Sequence, residues 1–145
     1  MRVLLDEDTP VQLLGPLAHV LIDHEISDIH AIGWSGKKDP QVLADAKRAG
    51  YHVFVTNDKS QLTNPSLCDA IKRSGIHHVR YDQSSGALGL ALALAAIIAA
   101  MPKVMEDLAS AKGQRLVKIK SLDRATMRHE IVDPAKHPPS PYWPR

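Results

Sequence analysis

Arg2-Val3-Leu4-Leu5-Asp6-Glu7-Asp8 and Tyr51-His52-Val53-Phe54-Val55-Thr56-Asn57-Asp58 follow one design, a short apolar run that stops abruptly on an acid. Continuous apolar runs of this length mark buried strands, and the acid marks where each carboxyl end emerges. Glu25–Ile29 and Ile76–Tyr81 read as further strands, the latter finishing at Asp82. Between them lie helical signals. Leu13, Leu14, Leu17, Val20 and Leu21 recur at helical spacing, with Thr9 as N-cap, Pro10 at the first helical position and Pro16 as a point of bending. Gly33-Trp34-Ser35-Gly36 marks a loop, after which Asp39-Pro40 opens a helix stopped by Gly50 and Asn64-Pro65 opens one ended by Gly75. Strand and helix thus alternate in units of about 25–30 residues, which predicts a three-layer α/β/α fold with a mainly parallel central sheet.

The 145 residues suit one core, and 44% apolar with 23% charged residues excludes collagen-like, disulfide-stapled and disordered chains. Cys68 is the only cysteine, so neither an internal disulfide nor a cysteine-rich zinc site is open to the chain; mid-helix packing is its expected role. With acids reached by position 6, no secretory signal is expected, and the cytoplasm is the expected compartment. Ala87 to Met101 is an uncharged run of 15 residues, short of the ~20 needed to span a bilayer, so a buried helix is expected and no membrane partner. A second helical stretch runs from about Pro102 to Lys112.

The net charge of +2 conceals a division. Residues 1–111 hold 10 Lys/Arg against 13 Asp/Glu, whereas 112–145 hold 8 against 3. An acidic front suits divalent cations; a basic end suits phosphates or an acidic protein, and a solvated basic end is the plain alternative. The style also changes after Gly113. Leu116–Lys120 and Met127–Val132 alternate like the strands of a β-hairpin, and Asp133–Arg145, with five prolines in 13 residues, reads as an extended arm. The expected organisation is therefore an α/β domain over residues 1–112 and a basic hairpin with proline-rich arm over 113–145.

In open parallel sheets, ligands bind beyond the carboxyl ends of the strands. Asp6, Asp58 and Asp82 are delivered there by strands, and Asp39 by a helix start, where capping alone would also explain it. Clustered carboxylates raise one another's pKa or recruit a cation, and hard oxygen donors select Mg2+ or Mn2+. Paired ions of that kind can activate water for phosphodiester displacement. Other motifs fall away. His24-Glu25 and His30 lack the i+4 spacing of a zinc-protease helix, and the adjacent His77 and His78 point to opposite faces of a strand, so at most one could enter a shared site and polar surface or core hydrogen bonding is the expected role. There is neither a phosphate-loop lysine motif nor a dinucleotide glycine signature.

Over roughly residues 1–82, Leu4-Leu5-Asp6-Glu7-Asp8, Gly33-Trp34-Ser35-Gly36 leading to Asp39, and Val55-Thr56-Asn57-Asp58-Lys59 resemble the short PIN-like ribonuclease domains that include VapC-type toxins. The resemblance implies a PIN-like α/β/α fold and Mg2+- or Mn2+-dependent endoribonuclease activity on RNA, within a toxin–antitoxin pair. Carried over by position, Asp6, Asp39 and Asp58 would be the metal-binding and catalytic residues, with Glu7, Thr56, Lys59 and Asp82 as accessories. The family often has an acid two residues after the Asp58 position, followed by Phe; Ser60 and Gln61 stand here instead. Two rivals remain: a receiver-like signalling domain phosphorylated on Asp58, and a catalytically weakened binding module for nucleic acid or protein. A cognate antitoxin and a homo-oligomer are the expected protein partners.

Overall fold

Five strands and four helices alternate along the computed structural model, which describes residues 1–144. They are β1 (Arg2–Leu5), α1 (Leu14–Val20), β2 (Glu25–Asp28), α2 (Asp39–Arg48), β3 (Val53–Thr56), α3 (Pro65–Ser74), β4 (His77–Arg80), α4 (Gly86–Ala109) and β5 (Leu116–Lys118). The sheet has the order β2-β1-β3-β4-β5, with every neighbouring pair parallel. Side chains alternate across its faces, as strand geometry requires. Leu4 and Phe54 pack with Val42, Leu43 and Ala46 of α2 and Ile71 of α3. Val3, Leu5, Val53 and Val55 pack instead with Leu17 of α1 and Ala93, Ile97, Met101 and Met105 of α4. Helices thus cover both faces, giving the three layers read from the alternation of elements.

The distribution of helices separates one crossover from the rest. The α1 connection steps from β1 to β2 in one direction along the sheet, while the α2, α3 and α4 connections step in the other. Crossovers of equal hand that step in opposite directions lie on opposite faces, which holds for α1 against α2 and α3. The α4 crossover shares the face of α1, so its hand is opposite to that of the other three.

Local capping departs from the sequence reading at two helices. Thr9 does not cap α1; it is buried, its hydroxyl lies 3.5 Å from the Val55 carbonyl, and a one-turn 3-10 helix at Val11–Leu13 intervenes. Pro16 is the third residue of α1, where a missing N–H costs little, and Gly15 before it has no Cβ to meet the proline ring. At α2 the cap is Lys38, and Asp39 is the first helical residue, which frees its carboxylate from capping. Asn64 caps α3 as expected, accepting from the N–H groups of Ser66 at 3.0 Å and Leu67 at 3.4 Å, and Gly75 closes that helix at φ 67°. The apolar run and the stretch after Pro102 form one continuous helix, α4. That helix is long and apolar enough to cross a membrane by length and composition, but Ala93, Ala96, Ile97, Met101, Met105 and Leu108 are buried against the sheet and α1.

The expected C-terminal hairpin does not form. Leu116–Lys118 joins the sheet beside β4 in parallel, with the Ile119 N–H donating to the Arg80 carbonyl at 2.8 Å, and residues 127–132 make no strand. An isolated two-stranded hairpin is marginal in water, whereas the open edge of β4 offers backbone partners and a core that buries Ile119. The expected extended arm is not seen either: the described residues of the proline-rich end are exposed and turn locally at Asp133–His137 and Ser140–Trp143 instead of running straight.

One close approach makes the packing of α4 testable. A Cβ on Gly89 would sit 2.0 Å from the Ser84 carbonyl oxygen, a backbone atom that cannot rotate away. Gly89→Ala is therefore expected to destabilise the fold by about 1–3 kcal/mol in urea unfolding, although alanine is the better helix former.

Candidate functional site

The chain leaves β1 toward β2 on one side and reaches β3 on the other, so the carboxyl ends of β1 and β3 flank the point where strand order reverses. Asp6 stands there, its N–H donating to the Val55 carbonyl at 2.9 Å. The residue is 5% exposed, and its carboxylate receives three donors. The Glu7 N–H reaches Oδ1 at 2.7 Å; the Thr56 hydroxyl and the Gln61 side-chain amide reach Oδ2 at 2.6 and 3.3 Å.

Gln61 is the centre of the arrangement. It is 1% exposed, and its Nε2 also donates to Asp39 Oδ2 at 3.2 Å, so one amide holds the acids from β1 and α2 together. Its carbonyl end pairs with His78 Nε2 of β4 at 3.0 Å. A one-turn 3-10 helix at Lys59–Leu62 aims Gln61 inward. Asp58 caps that turn, Oδ1 accepting from the Ser60 N–H at 2.8 Å and the Ser60 hydroxyl at 2.7 Å. The Asp58 N–H donates to the Thr56 hydroxyl at 3.0 Å, which in turn donates to Asp6.

Electrostatics follow from burial. Desolvation raises the Asp6 pKa to about 6 against the hydrogen bonds from Thr56 and Glu7, with the charges of Asp39 and Asp8 adding to the rise. Asp39 is also raised, first by burial and then, against the Gln61 hydrogen bond, by the charges of Asp58, Asp8 and Glu7. Burial and Arg80 lower His78 to about 4, so the ring is neutral at pH 7. Its Nε2 therefore carries the proton given to Gln61, and its Nδ1 is buried without a partner.

Of the residues singled out from sequence, the structure brings Asp6 and Asp39 onto a shared partner and places Asp58 close enough to raise Asp39. Glu7 accepts from the Gly36 N–H at 3.2 Å and so ties down the loop before α2. Thr56 orients Asp6. Lys59 and Asp82 lie elsewhere: Asp82 is paired with Lys59 at 3.8 Å and with Lys118 at 3.6 Å. Cys68 is half-buried, with its thiol 3.7 Å from the Gln61 carbonyl. Among the described residues no three His, Cys, Asp or Glu side chains converge as a ready metal cage. The donor set is nonetheless all oxygen, and Asp39 Oδ1 and Asp58 Oδ2 accept no hydrogen bond among the described residues, which suits a hard cation that keeps part of its water.

The sequence reading gives Gln61 no site role and expects of His77 and His78 only polar surface or core hydrogen bonding, with at most one entering a shared site; His78 makes such a core bond. Gln61 stood out only as a departure from an expected Phe, and its signal was the polar side chain in an otherwise apolar position three residues past Asp58. Comparison with known proteins returns no matching family model, curated protein or solved structure.

The raised Asp6 pKa has a sign that can be checked. The folded state holds this proton more tightly than the unfolded chain, so its stabilisation is complete below the ordinary 3.8 and is lost as pH rises through about 6. Urea unfolding without divalent ions is expected to show Asp6→Asn gaining on the native chain by about 3 kcal/mol between low pH and neutrality. A pH-independent difference would contradict the burial of this charge.

Proposed function

We propose that this chain is a PIN-like, Mg2+- or Mn2+-dependent endoribonuclease acting as the toxin of a cytoplasmic toxin–antitoxin pair. The observation that carries the reading is the meeting of Asp6 and Asp39 on the Gln61 amide, at the strand-order switch point where an α/β sheet binds ligands. RNA as substrate, and an antitoxin as partner, rest on the resemblance of residues 1–82.

Asp6, Asp39 and Asp58 would hold the cation, which supplies an acidified water and charge stabilisation for the phosphodiester. The remaining work belongs to the chain itself. Thr56 and the Glu7 N–H fix the orientation of Asp6, and Gln61 sets the spacing from Asp6 to Asp39. Neutral His78 fixes the Gln61 amide with its nitrogen toward the acids, so donors face the carboxylates and the imidazole adds no competing positive charge. Asp58 is tied at one oxygen and presents the other.

A phospho-accepting receiver draws support from one feature, Lys118 at the end of β5. That lysine is paired with Asp82, and β4 ends at Arg80 and leads into Tyr81-Asp82, without the serine or threonine that would orient a phosphoryl group. The crossover of α4 on the α1 face further separates this chain from a doubly wound domain of uniform hand.

The purified chain is expected to cleave single-stranded RNA with Mn2+ and to stop on chelation. Asp6→Asn and Asp39→Asn should each lower the rate about a hundredfold or more, the scale of losing a pre-organised electrostatic group. Acid-labile phosphate on Asp58 after treatment with a small phosphodonor, with no RNA cleavage, would overturn the assignment.

A further inference from the structure

A second concavity opens on the carboxyl side of the sheet, between the end of β4, the start of α4 and the chain after β5. It encloses about 280 Å³ and is lined by Lys59, Asp82, Ser84, Leu92, Leu122 and Arg124. Its two halves differ in chemistry. One rim is cationic: Lys59 and Lys118 flank Asp82, and the Arg124 guanidinium donates to the Ser84 hydroxyl at 2.8 Å, leaving further N–H groups on the fork. The floor is apolar, made by Leu92 and Ala93 of α4 with Leu122. Gly89 keeps the Ser84 turn pressed against the first turns of α4, which shapes the wall.

We infer that this cavity holds one nucleotide of a single-stranded RNA, its phosphate against Lys59 and Arg124 and its base against Leu92 and Leu122. The inference rests on the nuclease reading for the position of the strand. Two lining cations, Lys59 and Arg124, against one lining carboxylate that Lys118 also pairs with favour an anion, and a planar guanidinium beside a hydroxyl suits phosphate oxygens. An apolar floor below that rim suits a base and is wasted on a free inorganic anion. Location supplies the link to the acidic site. Lys59 follows Asp58 directly, and β4 and β5 lie one and two strand spacings from β3, about 5 and 10 Å. A polyanion approaching Asp6, Glu7, Asp8, Asp39 and Asp58 is repelled there, so a cationic foothold one or two nucleotides along the strand holds it in register. The basic character of residues 112–145 thereby acquires a location, Lys118 and Arg124.

The test is binding of a fluorescently labelled oligouridine to the full chain in chelator, followed by anisotropy over a range of salt. Arg124→Ala is expected to weaken binding about tenfold and to flatten the plot of log affinity against log salt by about one phosphate contact. Arg124→Lys should keep the slope while recovering part of the affinity, and Leu122→Ser should lower affinity with the slope unchanged. No binding by the native chain, or unchanged affinity and slope in Arg124→Ala with circular dichroism intact, would overturn the pocket. Cleavage in Mn2+ is read separately: cleavage with no effect of Arg124→Ala removes the pocket alone, and Arg124-dependent binding without cleavage removes the nuclease reading alone.

Discussion

A carboxylate at the end of a buried strand has to be satisfied by the protein, and in this fold nearly everything around the site answers that demand. β1 and β3 are covered on both faces, so the chain leaving β1 delivers Asp6 into protein and not into water. Its three donors come from three places: the next backbone N–H, the end of β3 and the turn beyond it. Gln61 reaches inward because Asp58 caps its turn, and the Gln61 amide is oriented because neutral His78 occupies its carbonyl end. Removing any one member strands another buried polar group, which costs about 1–3 kcal/mol, so strand, turn and site form one cooperative unit.

The same network sorts the acids by what they have left to offer. Asp6 accepts at both oxygens, with one acceptor site left on Oδ1, and is tuned upward by burial, whereas Asp39 and Asp58 each keep an oxygen that accepts no hydrogen bond from a described group. Glu7 is committed to the loop before α2, and Asp82 to two lysines. A count of carboxylates near the sheet edge therefore overstates the number that can meet one ligand. Side-chain partners decide it, through the free lone pairs that remain.

How much was legible in the sequence follows the range of the interactions. Strands β1 and β3, the cap at Asn64 and the stop at Gly75 are local features, each encoded within a few residues, and they stand where the pattern put them. The failures concern choices between partners distant in sequence. Leu116–Lys118 alternates as a hairpin strand would, but pairing is chosen by what edge is free, and β4 offered one already backed by a core. Asp39 before Pro40 matches a cap, yet the cap falls one residue earlier, at Lys38, which makes Asp39 the first helical residue and leaves its carboxylate to Gln61. Gln61 was illegible for a different reason: its role depends on Asp6, Asp39 and His78, which lie 55, 22 and 17 residues away.

Ser60 and Gln61, where the resemblance leads one to expect an acid and an aromatic, make physical sense as a pair. The Ser60 hydroxyl holds Asp58 Oδ1 against the turn, which an acid at that position would repel. The Gln61 amide sits between two carboxylates, donating to both, and so supplies neutral compensation at the place where a cation would otherwise be needed to keep them together. An aromatic side chain would offer Asp6 and Asp39 no such donor. The exchange thus trades charge for hydrogen bonds: it lets the acids assemble as part of the fold itself, so that a cation, as proposed, would meet acids already held together instead of building the site from scratch.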